Sequence, residues 1–136
     1  RQMCIRDSQY GLSWFEQVDA DHFTAHAILA PSATGMSFSQ QHSLSVGDLN
    51  GDGLPDFVTG KRYYAHPSTN ADPGSADPPV LYWFELVRGA TTTFTPHLIH
   101  SDSGAGCNFA VRDVTGDGKL DIFATNKRGT FLHTQR

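Results

Sequence analysis

Aspartates recur in two near-copies of one nine-residue segment, Asp48-Leu49-Asn50-Gly51-Asp52-Gly53-Leu54-Pro55-Asp56 and Asp113-Val114-Thr115-Gly116-Asp117-Gly118-Lys119-Leu120-Asp121. Oxygen-bearing side chains stand at positions 1, 3, 5 and 9 of each copy, and the glycines between them let the backbone turn tightly. This is the donor pattern of a calcium loop, in which a backbone carbonyl at position 7 adds a further ligand. The expected ligands of the first loop are the side chains of Asp48, Asn50, Asp52 and Asp56 with the Leu54 carbonyl. Those of the second are Asp113, Thr115, Asp117 and Asp121 with the Lys119 carbonyl. Bound Ca2+ would neutralise carboxylates that otherwise crowd one turn and repel one another.

The elements around the loops decide what kind of calcium protein this is. An EF-hand would place a bidentate Glu at position 12 and lie between helices, whereas position 12 here is Thr59 or Ala124. Asp56-Phe57-Val58-Thr59-Gly60 and Asp121-Ile122-Phe123-Ala124-Thr125 follow the loops, and Leu44-Ser45-Val46 and Phe109-Ala110-Val111 precede them. These runs are rich in β-branched and aromatic residues, so each loop is expected to join two short strands. That also argues against a helical, paired-loop dockerin.

Both tryptophans belong to a second repeated signal. Trp14-Phe15-Glu16-Gln17-Val18 returns as Trp83-Phe84-Glu85-Leu86-Val87 at an offset of 69 residues. Phe23-Thr24-Ala25-His26-Ala27-Ile28 returns as Phe94-Thr95-Pro96-His97-Leu98-Ile99 at an offset of 71. The aspartate loops are 65 residues apart, and Lys61-Arg62 and Lys127-Arg128 extend the match at 66. One unit is written twice: strand, aspartate loop, strand, long connection, aromatic strand, turn, strand. Four antiparallel strands per unit, with turns rich in Gly and Asp and no helical periodicity, is the pattern of a β-propeller blade. The fold class expected is all-β, about two four-stranded antiparallel blades of an incomplete ring.

The loops and their flanking strands resemble the FG-GAP and VCBS-type repeats, whose signature is D-x-[DN]-G-D-G-x-x-D. Val46 to Gly60 matches it in full, while the second loop departs at Thr115. A hydroxyl is a weaker calcium ligand than a carboxylate or amide oxygen, so the second site is expected to be weaker or to admit water there. The resemblance covers most of residues 12 to 136. It implies a calcium-stabilised propeller of a secreted or cell-surface protein, and no single activity.

On this reading residues 9–79 form the first repeat, with a long connection at 63–79, and residues 80–136 the second repeat and the start of the next. Two repeats cannot close a ring of four to eight blades, so the chain is expected to be a fragment whose partners include the remaining blades of a longer protein. Residues 1–8 match neither repeat and resemble a non-native scar of the kind seen in metagenomic open reading frames. Without them Cys107 stands alone, so cysteine says nothing of the compartment. Loops of this type fill where calcium is about millimolar, which points to an extracellular, cell-surface or periplasmic location. The 136 residues carry 10 basic and 14 acidic side chains, a net charge of −4, with no basic stretch and no apolar run long enough to insert in a membrane. That balance argues against nucleic acid as a partner.

Other residues could carry chemistry. His26 and His97 suit a general base or a transition-metal ligand, with His100 nearby, but a repeated position serves the blade better than a unique active site. Trp14 and Trp83 could stack on sugars, and their repetition again favours packing between blades. Tyr63, Tyr64 and His66 open the most individual segment and are the candidates for a specific ligand site, against the plainer reading that this insertion packs over a blade edge. No catalytic residue is assigned: nucleophile-elbow, phosphate-loop and zinc-protease motifs are absent. The expected function is a non-catalytic binding or scaffold module for protein or polysaccharide. The alternative is part of a propeller enzyme such as a polysaccharide lyase.

Overall fold

The computed structural model describes residues 10–30, 36–64 and 73–136. Residues 1–8, His66 and part of the 63–79 connection lie outside the described residues. Strands β1 (Leu12–Gln17), β2 (Phe23–Leu29), β3 (Gln41–Gly47), β4 (Asp56–Lys61), β5 (Leu81–Arg88), β6 (Thr92–His100), β7 (Phe109–Arg112), β8 (Asp121–Asn126) and β9 (Gly129–His133) follow one another along the chain. They form three antiparallel sheets in the orders β1-β2, β3-β4-β5-β6 and β7-β8-β9. The all-β expectation is borne out, and one four-stranded unit is complete within Gln41–His100. A cut at residue 79 therefore falls inside this sheet, because a unit repeated along the chain and a sheet closed in space begin at different phases. Among the described residues no helix is long and apolar enough to cross a membrane.

The middle sheet is covered on both faces. Its interior strand β4 is buried along its whole length, with Phe57 and Val58 facing the two cores and the charged ends Asp56 and Lys61 held by hydrogen bonds. Phe57 and Phe84 are directly opposed across β4 and β5, with ring centroids 4.7 Å apart and planes 10° from parallel. They cluster with Leu12, Leu29 and Phe38, so this face packs against the β1-β2 sheet. Val58 and Leu81 point the other way, since strand side chains alternate. They meet Leu49, Ala105 and Ile122, so this face packs against the β7-β9 sheet. Close approach constrains one backbone position: a Cβ at Gly60 would collide with the carbonyl oxygen of Val80 and stand 3.0 Å from the Leu81 Cα.

The hairpins β1-β2 and β5-β6 explain the second repeat. Trp14 faces His26 and Trp83 faces His97 as cross-strand partners. The second hairpin has longer strands, and its Trp-to-His separation is two residues greater, which is the difference between the offsets of 69 and 71.

Candidate functional site

Each aspartate loop joins the first two strands of its sheet, β3 to β4 and β7 to β8, so both lie at the same end of their sheets. In the first, the Asp48 carboxylate accepts backbone N–H groups from Gly51 (2.7 Å), Asp52 (3.1 Å) and Gly53 (2.9 Å). Asp52 accepts the Leu54 N–H at 2.7 Å, and the Asn50 side-chain oxygen accepts the Asp52 N–H at 3.1 Å. The second loop repeats this. Asp113 accepts from Gly116 (2.6 Å), Asp117 (3.2 Å) and Gly118 (2.9 Å), and Asp117 accepts from Lys119 (2.9 Å). These turns need left-handed backbone at two positions in each loop, supplied by Gly51 (φ 78°) and Gly53 (83°) and by Gly116 (78°) and Gly118 (85°).

The ninth-position aspartates are fully buried and do something the spacing alone does not announce. Asp56 accepts the Leu49 N–H on one oxygen and the Leu86 N–H of β5 on the other, each at 2.9 Å. Asp121 does the same, accepting Val114 (3.0 Å) and Thr115 (3.1 Å) on one oxygen and Gln135 (3.1 Å) on the other. Each therefore ties its loop and its own strand to backbone further along the chain through a single carboxylate, β5 for Asp56 and the segment just past β9 for Asp121.

The residues fit a hard cation by donor type, because each loop offers carboxylate and carbonyl oxygens, joined by an amide oxygen in the first and a hydroxyl in the second, and no nitrogen or sulfur ligand. Among the described residues no three His, Cys, Asp or Glu side chains form a ready-made metal cluster, and the loop carboxylates are engaged with the backbone N–H groups described above. Asn50 and Thr115 occupy the same loop position differently. The Asn50 amide reaches Asp52 at 3.1 Å and Glu85 at 3.2 Å, whereas Thr115 bonds to Asp121 through both its N–H and its hydroxyl.

Hydrogen bonds from the Gly118 and Gly116 N–H groups hold the Asp113 carboxyl below its ordinary range, and the Val114 N–H heads the set that does so for Asp121. A carboxylate with a depressed folded pKa contributes stability that is complete above its unfolded pKa, about 4, and is lost as pH falls through the folded value. Melts in EDTA at successively lower pH are therefore expected to show the melting temperature falling below about pH 4. A melting temperature that stays level from neutrality to below that range would contradict this.

Outside the loops, one arrangement occurs twice. His26 stacks on Trp14 with centroids 4.4 Å apart and lies 3.0 Å from Glu16, and His97 stacks on Trp83 at 4.3 Å and lies 2.8 Å from Glu85. Trp14 also meets Phe94 edge-on at 6.2 Å, and Trp83 packs on the Val58–Ile122 cluster. Both tryptophans thus stand between sheets. Glu85, not singled out from the sequence, links this stack to the first loop through Asn50; the identical Trp-Phe-Glu triplets were the signal that could have found it. His100 lies apart, 5.5 Å from His133, whose pKa is lowered by burial and by His100. Tyr63 and Tyr64 sit at the opposite end of β4 from the aspartate loop, so the ligand candidates and the metal candidates are not brought together.

The β3 start, the aspartate loop, β4 and the connection beyond them carry the match to a known family. Residues 41–76 match the FG-GAP repeat. FG-GAP repeats are β-propeller blades, and the antiparallel sheet β3-β4-β5-β6, which opens with the matched residues, has the four-stranded form of such a blade. The FG-GAP match stops short of the second loop. No curated protein and no solved structure matches the chain.

Proposed function

We propose that this chain is a calcium-stabilised, non-catalytic stretch of propeller blades, serving an extracytoplasmic protein as a binding or scaffold module. The observation that carries this reading is the loop pair. Two loops with aspartates at the same three positions, the same backbone hydrogen bonds to the first and middle aspartates and left-handed glycines at the same two positions stand at the same end of adjacent sheets. Calcium would be held by Asp48, Asn50, Asp52, Asp56 and the Leu54 carbonyl, and by Asp113, Thr115, Asp117, Asp121 and the Lys119 carbonyl. Bound there, it supplies charge neutralisation, so its binding energy becomes folding energy. The histidines support a non-catalytic role because His26 and His97 sit in the same Trp–His–Glu arrangement in two places, as a structural element would.

Thermal melts with calcium and with EDTA test the proposal. At a calcium concentration 100 times the dissociation constant, each filled site is expected to add about 2.7 kcal/mol, which raises the melting temperature by several degrees or more. Thr115→Asn is expected to tighten the second site, and Asn50→Ala to weaken the first. A melting temperature indifferent to both calcium and EDTA overturns the metal assignment.

A further inference from the structure

The two aspartate loops differ at their third position, and the strand that passes each loop differs with it. Strand β5 runs beside the first loop, because Phe84 pairs with Phe57 and the Leu86 N–H reaches the Asp56 carboxylate. Glu85, between those two residues, comes level with the loop and accepts from the Asn50 amide at 3.2 Å. In the third sheet His133 pairs with Ile122 and the Gln135 N–H reaches Asp121, so Thr134 stands where Glu85 stands in the middle sheet. The pair Asn50 and Glu85 of one unit is therefore Thr115 and Thr134 in the other. Thr115 turns inward instead, bonding to Asp121 of its own loop through its N–H and its hydroxyl.

An asparagine amide has two unlike ends, and only the oxygen can serve a hard cation. The bonds around Asn50 fix which way it turns. Its nitrogen carries two N–H donors, and two carboxylates stand within reach of them, Asp52 at 3.1 Å and Glu85 at 3.2 Å. Its oxygen faces the loop backbone, where it accepts the Asp52 N–H at 3.1 Å. A flipped amide would set that oxygen against both carboxylates.

Glu85 is itself braced. Its other oxygen lies 2.8 Å from His97 Nε2, and the His97 ring stacks on Trp83 with centroids 4.3 Å apart. Glu16, the same residue in the other Trp-Phe-Glu triplet, has the same histidine brace at 3.0 Å, yet its side chain is 52% exposed against 29% for Glu85. The brace recurs in both hairpins. Among the described residues, the reach to a loop amide is made by Glu85 alone.

We infer that Glu85 is a positioning residue of the first calcium site, an assignment that rests on the metal reading above. It does not ligate the ion. It holds the Asn50 amide by its nitrogen so that the oxygen already points into the loop, which lowers the ordering cost of binding. The second loop lacks this support as well as the amide, so the two sites differ in preorganisation and not in donor strength alone.

Calorimetric titration with calcium of the 136-residue chain carrying Asp117→Ala, which disables the second loop, tests this. Adding Glu85→Ala is expected to weaken calcium binding about tenfold or more. Glu85→Gln is expected to keep most of the affinity, because its side-chain oxygen can still accept from Asn50. With Asn50→Ala in place, the loss from Glu85→Ala should shrink to a few-fold at most, the share that charge alone contributes at a partly exposed group. Glu16→Ala, which removes the carboxylate of the other triplet, should leave the affinity unchanged. Melts in EDTA check folding, and Glu85→Thr, which copies the residue at the equivalent place, serves if the alanine variant melts abnormally. Unchanged affinity in Glu85→Ala or Glu85→Thr, a loss in Glu85→Gln as large as in Glu85→Ala, or losses fully additive with Asn50→Ala overturns the positioning role. A parent chain that binds no calcium loses the metal reading and the Glu85 role together. One that binds calcium and is indifferent to Glu85 loses the Glu85 role alone.

Discussion

Phe84→Ala is expected to destabilise the fold by about 3–5 kcal/mol, a large share of the stability of a small domain. Phe84 is fully buried, stacked on Phe57 at 4.7 Å and set among Leu12, Leu29 and Phe38. Removing the ring forfeits its transfer energy and leaves a cavity. The walls cannot follow it inward, because Leu12 and Leu29 are held by the β1-β2 ladder and Phe57 by the ladders of β4. Phe15 makes the control unusually direct, since it is the same residue in the other copy of the Trp-Phe-Glu triplet yet is 53% exposed. Phe15→Ala is expected to cost under about 1 kcal/mol. Urea unfolding of both variants measures the difference, and equal costs would mean that the β1-β2 sheet does not cover the face on which Phe84 lies.

Asp56→Ala is expected to cost about 3–6 kcal/mol even in EDTA, from losing two hydrogen bonds to a charged group worth about 1.5–3 kcal/mol each. The Leu49 and Leu86 N–H groups would be left without their acceptor, one in the loop and one in β5. Asp56→Asn is expected to fall between, because the amide keeps one acceptor and turns a donor toward the other N–H. Asp52→Ala, in the exposed part of the loop, should matter mainly when calcium is present. Melts of the three variants with calcium and with EDTA separate the two roles of these carboxylates. If the Asp56→Ala loss vanished in EDTA, Asp56 would act through the metal alone and the tie to β5 would contribute nothing.

Much of the architecture is legible in the sequence because it is local. The runs of β-branched and aromatic residues beside each aspartate loop mark β3, β4, β7 and β8, and the order strand, loop, strand, aromatic strand, strand gives the four-stranded sheet. The loop glycines announce left-handed turns, since few other residues adopt them without cost. The tryptophan repeat is legible as a repeat, but that Trp and His are cross-strand partners requires the hairpin register.

What equivalent residues do is not legible, because it depends on what lies across a sheet interface. Phe15 and Phe84 share a triplet, but only Phe84 is covered by a neighbouring sheet. Lys61 and Lys127 share a dipeptide, but Lys61 closes β4 and is buried beside Gln40, whereas Lys127 falls one residue beyond the end of β8. Asp56 reads as one more loop oxygen until Leu86, thirty residues on, is seen to donate to it.

The sequence by itself determined the aspartate loops, the strands they join and the fact that one unit is written twice. Backbone turns and side-chain alternation are set within a few neighbouring residues. Only the tertiary structure decided which copy of each residue is buried and which carboxylate ties its loop to two neighbouring strands. Those outcomes come from packing between sheets and from hydrogen bonds between residues distant in the chain, which no short window of sequence contains.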